Sequence, residues 1–140
     1  MKIGRKLITI FVVIVLLAIT CVPVFAASNQ VVYLFENQVW TKGYGEAHDP
    51  NYYRCGAMCH SVYPYSGWDL FSNIQCKVTN TYNEVIAVRP TYTLTEGASS
   101  YTEIAIMDGE LSTTTVFFHF RGNPSAQAQA IVSYTGTITN

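Results

Sequence analysis

Residues 113–138 read TTTVFFHFRGNPSAQAQAIVSYTGTI, and the pattern of this stretch decides the fold. Val116, Phe118 and Phe120 recur at every second position, with Thr115, Phe117, His119 and Arg121 between them. After the turn residues Gly122-Asn123-Pro124 the pattern returns in Ala126–Ile138. There Ala126, Ala128, Ala130, Val132 and Tyr134 share one side, and Gln127, Gln129 and Ser133 the other. A period of two is that of a strand with one face buried. A polar opposite face marks antiparallel sheets, since all-parallel sheets bury both faces.

The same reading extends outward. Gln30–Phe35 is a short apolar strand, and Gln38–Tyr44 continues it. Tyr52–Tyr63 alternates, with Tyr53, Cys55, Ala57 and Cys59 on one side and Tyr52, Arg54 and Met58 on the other. Asn73–Thr79 sets Ile74, Cys76 and Val78 against Gln75, Lys77 and Thr79. Glu84–Arg89, stopped by Pro90, and Thr102–Met107 complete the set. Turn signals separate them at Lys42–Gly45, Asp49-Pro50-Asn51, Ser66-Gly67, Asn80–Asn83, Glu96-Gly97 and Asp108-Gly109. β-Branched and aromatic residues dominate, whereas Leu and Lys are scarce. The expected fold is all-β: one antiparallel β-sandwich domain of seven or eight short strands over residues 27–140, jelly-roll-like or immunoglobulin-like. The Cys…Trp…Cys spacing of immunoglobulin domains is absent.

Residues 1–26 are a different polymer. Lys2, Arg5 and Lys6 precede the apolar run Leu7–Thr20, Pro23 breaks it, and Val24-Phe25-Ala26 ends it with small residues. This is the layout of a secretory signal peptide cleaved between Ala26 and Ala27. A retained anchor fits Pro23 and that small-residue end less well. The chain is therefore expected to be secreted, with no membrane attachment after cleavage. Residues 27–140 hold five basic and nine acidic residues, a net charge of −4. That balance argues against a nucleic-acid partner, which would need a basic patch.

Three cysteines remain beyond residue 26: Cys55, Cys59 and Cys76. Export favours oxidation, and an odd number leaves one thiol over. Cys55 and Cys59 on one strand would lie about 13 Å apart, beyond disulfide reach. If Tyr52–Tyr63 and Asn73–Thr79 form a hairpin about Ser66-Gly67, position 76 falls opposite 57. Cys59–Cys76 is then the favoured bridge and Cys55–Cys76 the second. The unpaired Cys55 would be open to linking two chains. The loose spacing of His48, Cys55, Cys59, His60 and Cys76 does not make a zinc motif, and no metal is expected.

Catalytic signatures are missing as well. No G-x-S-x-G, P-loop or G-x-G-x-x-G occurs, no cofactor is implied, and Cys59 and His60 point apart on a strand. His119 reads as a structural histidine. No pair of carboxylates stands out. The distinctive feature is ten Tyr and two Trp, all beyond residue 26. Tyr and Trp offer rigid area with a polar handle and are enriched where surfaces bind. The expected role is non-catalytic binding of an extracellular glycan or protein. The expected contacts are Tyr63, Tyr65 and Trp68 in the Tyr63–Trp68 loop, with Tyr52, Tyr53 and Trp40 beside them. The alternative is a small secreted toxin acting on another cell's envelope, against which the negative charge weighs.

Overall fold

The computed structural model describes residues 27–35, 39–64, 73–122 and 128–139; the expected signal segment lies outside them. The chain is all-β, with two four-stranded antiparallel sheets in a sandwich-like arrangement. Its strands are β1 (Ala27–Leu34), β2 (Tyr44–Ala47), β3 (Arg54–Pro64), β4 (Asn73–Thr79), β5 (Tyr92–Thr95), β6 (Thr102–Ala105), β7 (Thr115–Arg121) and β8 (Ala128–Thr135). One sheet runs β1-β8-β3-β6 and the other β2-β7-β4-β5. The pairings nest: β1 with β8, β2 with β7, β3 with β6, β4 with β5. Among the described residues no helix is long and apolar enough to cross a membrane.

The core faces of β7 and β8 follow the alternation, but His119 and Ser133, assigned to the polar faces, are buried as well, β8 ends at Thr135, and Ala126 and Gln127 lie outside the described residues. Val116, Phe118 and Phe120 are buried, as are Ala128, Ala130, Val132 and Tyr134. Val32 and Leu34 of β1, Ile74 and Val78 of β4, Leu94 of β5 and Ile104 of β6 join them in one core. Within it Tyr134 packs against Phe118, Phe120 and Tyr44, with ring centroids 5.1, 6.1 and 6.0 Å away.

β3 carries an irregularity that the alternation did not announce. Its register against β8 slips between Cys59 and Ser61, so His60 is an extra residue. Cys55, Ala57 and Cys59 face the core before the bulge, and Val62 faces it afterwards. The bulge therefore turns Tyr63 outward. The turn after β5 pins it: Gly97 N donates to His60 O (3.2 Å) and Val62 N to Glu96 Oε1 (2.9 Å).

Three expectations need correction. First, residues 39–43 are not a strand, and β2 begins at Tyr44. Gly43 and Gly45, which read as turn signals, are instead sites of close approach. A Cβ on Gly45 would lie 3.0 Å from Cε1 of Phe117. Second, Glu84–Arg89 is not a strand. Val85 bridges to Thr79 of β4, whereas Ala87 bridges to Ile106 beyond β6, so this segment crosses between the sheets. The strand at this point in the chain is β5, beyond Pro90.

Third, β3 and β4 lie in different sheets, so the hairpin that implied Cys59–Cys76 does not exist. Cys55, Cys59 and Cys76 are all buried free thiols in this structure. Cys76 is near enough to Cys55 for charge on one to oppose ionisation of the other. Cys55 is fully buried, so its thiol is not presented to a second chain. Burial pushes Cys55 up to about 12 and Cys59, aided by the nearby Glu96 charge, up to about 11.

Two outcomes follow from this packing. A Cβ on Gly136 would sit 1.9 Å from the carbonyl oxygen of Ala47, a clash with backbone. Gly136→Ala is expected to lower the melting temperature by about 10 °C or more, roughly 2–3 kcal/mol of overpacking. Gly109→Ala, with nothing within 4 Å, is the matched control and is expected to be near neutral. A chain beginning at Ala27 is expected to resist a thiol reagent at pH 8 while native and to expose three reactive thiols in denaturant. A single reactive thiol there would show that two of the three are bridged.

Candidate binding groove

The candidate site forms where the crossing segment meets the sheet edges. β6 is the last strand of its sheet, and the segment around Ile86–Val88 lies along it. Val88 N donates to Ala105 O and Met107 N to Ile86 O, each at 2.9 Å. These bonds hold Val88 and Arg89 against the edge. Pro90 follows, and a residue before proline is biased to extended backbone. The chain then enters β5, the edge strand of the other sheet, where Tyr92 is half-buried against the core.

Tyr53 and Arg54 reach the same place from the start of β3. The Arg54 guanidinium lies 4.8 Å from the centroid of the Tyr53 ring, and its Nη2 donates to the Tyr53 hydroxyl at 2.9 Å. Its Nη1 donates to Glu103 Oε2 at 2.8 Å. Together these residues, with Val88, Arg89, Tyr92, Thr102 and Ala105, line an open groove of about 500 Å³. That volume lies within the range of small-ligand sites. The lining offers two aromatic rings, two guanidinium groups and one ion-paired carboxylate.

The expected aromatic contacts do not share one platform. Tyr53, 51% exposed, lines the groove. Tyr52 lies in the turn before it, where its N–H donates to Asp49 O (3.0 Å). Tyr63, 52% exposed, lies on the outer face of the first sheet, where Gln129 of β8 separates it in register from Tyr33 of β1. Val31, Ile131 and Ser61 form the next row. Trp40 is on the other sheet, with the Arg121 guanidinium 4.4 Å and Lys77 Nζ 5.1 Å from its ring centroid. Tyr65 and Trp68 lie outside the described residues.

A second, smaller hollow of about 190 Å³ adjoins His119, Thr79 and Gly43. The His119 Nδ1 lies 3.0 Å from Thr41 O, and a carbonyl only accepts, so Nδ1 carries the proton. Nε2 therefore accepts from the Thr79 hydroxyl, also at 3.0 Å. Burial lowers the pKa of His119, so it is neutral at pH 7. Both ring nitrogens are thus hydrogen-bonded within the chain.

Arg54, Arg89, Tyr92 and Glu103 were missed because no spacing joins positions 54, 89, 92 and 103. The scarcity of cations was the available signal: with only five beyond residue 26, two meet in one groove. No protein-family model, no curated protein and no solved structure matches this chain.

Proposed function

We propose that this chain is an exported, non-catalytic binding domain that holds a glycan in the groove between Tyr53, Tyr92 and Arg89. The carrying observation is the lining itself. Aromatic faces stack on the apolar faces of sugar rings, while guanidinium and hydroxyl groups donate to ring hydroxyls. Among the described residues the only carboxylate of the lining, Glu103, is tied to Arg54, whereas glycoside hydrolysis ordinarily uses two. The basic, apolar and small-residue layout of residues 1–26 supports export. The nested order β1-β8-β3-β6 and β2-β7-β4-β5 supports a jelly roll over an immunoglobulin-like sandwich.

A protein ligand has one observation in its favour. Val31, Tyr33, Phe35 and Tyr63 leave about half of their surface exposed, and all but Phe35 fall in adjacent rows on the outer face of the first sheet.

A glycan array followed by calorimetry separates the two. Tyr53→Ala is expected to weaken glycan binding roughly tenfold, about 1.4 kcal/mol, without changing the melting temperature. Trp40→Ala, on the other sheet, is expected to leave binding intact. Absence of binding to any glycan overturns this reading. Loss of glycan binding in a Tyr33→Ser, Tyr63→Ser double variant, with Tyr53→Ala unaffected, moves the site to the outer face.

A further inference from the structure

We infer that the groove selects sugars carrying a carboxylate, with Arg89 as the contact for that charge; this rests on the glycan-binding reading above. The inference starts from how the chain spends its cations. Residues 27–140 contain five: Lys42, Arg54, Lys77, Arg89 and Arg121. Four lie over aromatic rings of their own chain. Lys42 is 5.8 Å from the Tyr44 ring centroid, Arg54 is 4.8 Å from that of Tyr53, and Lys77 and Arg121 flank Trp40. Arg54 also pairs with Glu103, and Arg121 Nε donates to Gln75 Oε1 at 2.5 Å.

Arg89 is the exception. Among the described residues it has no ion pair, no side-chain hydrogen bond and no ring beneath it, and it is exposed. Its backbone is nevertheless held, by the Val88–Ala105 hydrogen bond on one side and Pro90 on the other. Among the described residues it is a preplaced cation without an internal partner.

The groove's charge points the same way. Arg54 and Glu103 cancel, and among the described residues no other carboxylate lines the groove, so Arg89 leaves it positive. The surrounding chain is negative, at −4 over residues 27–140. A local positive potential in a negative protein attracts single acidic groups while the rest of the surface repels polyanions. A guanidinium presents its donors in a plane and takes a carboxylate through two parallel hydrogen bonds. Tyr53 and Tyr92, beside it, supply the faces against which the sugar ring stacks. A uronate unit combines both requirements.

The test uses an array of galacturonate, glucuronate and mannuronate oligomers, their methyl-esterified counterparts, and sulfated neutral oligomers. The esters keep the sugar and remove only the charge. Wild-type protein is expected to bind at least one acid series tenfold or more tightly than its ester, and to lose that margin in high salt. Arg89→Ala and Arg89→Gln are expected to abolish the margin while keeping the wild-type melting temperature, and Arg89→Lys to retain part of it. The ester comparison and the salt series use wild-type protein alone, so they hold if a variant misfolds. Equal binding of acid and ester, binding of sulfated oligomers only, or a margin that survives Arg89→Ala overturns the inference and leaves the glycan reading standing. No glycan binding, with retention of poly-glutamate instead, overturns both.

Discussion

Strand β8 is the constraint on which the structure depends. It is paired on both sides, with β1 and with β3, and it supplies the inner face at the centre of its sheet. That face is graded in size: Ala128 and Ala130 at one end, Val132 in the middle, Tyr134 at the other. The small end leaves room for Val32, Leu34 and Val62, whose registers place them beside the alanines. The large end fills the space against Phe118, Phe120 and Tyr44 of the opposite sheet. A larger side chain at Ala130 would press into a fully buried position, and a smaller one at Tyr134 would leave a void, so the gradation sets the separation of the sheets.

The nested pairing makes the fold a single antiparallel ribbon turned back at β4–β5 and wound on itself. Most of its pairing joins distant parts of the chain, and such topologies fold slowly because loop closure comes before the contacts that offset it. The ribbon also has to manage its edges. At the β6 edge it does so with the 85–89 segment, which gives one backbone bridge to β4 and the next to the strand end beyond β6. A segment split between two sheets cannot lie flat on either. It leaves the recess into which Tyr53, Arg54, Arg89 and Tyr92 open. The groove is thus a consequence of edge protection.

This explains what was legible in the sequence. β4 begins and ends where its alternation does, and β7 and β8 bury the residues that the period of two assigns. Periodicity reports which face of a strand is buried. It does not report which strand lies alongside, so the β3–β4 hairpin was a reasonable inference from sequence adjacency that sheet order overturns. The bulge at His60 was invisible for a related reason: one extra residue reverses the facing of every later side chain, and Tyr63 became exposed through it. The aromatic residues were correctly seen as abundant. Their division among a groove, an outer face and a cation-flanked indole depends on register and loop path. β5 was hidden behind Pro90, although Thr91–Thr95 alternates clearly in retrospect.

The three thiols bear on the export proposed above. An odd set of cysteines in an oxidising space invites mixed disulfides, and the attacking species is the thiolate. Here all three thiols lie in the core, and burial raises each of their pKa values. At neutral pH almost none of Cys55 or Cys59 is ionised, and neither is exposed to an oxidant. Packed this way, the cysteines serve as small hydrophobic residues filling positions between the sheets. Cys55 and Cys76, on strands of opposite sheets, lie close enough for charge on Cys55 to oppose ionisation of Cys76 within the core that Ile104, Phe120 and Val78 share. The same burial leaves the outward faces of the described residues to groups such as Tyr33, Tyr53, Tyr63 and Arg89.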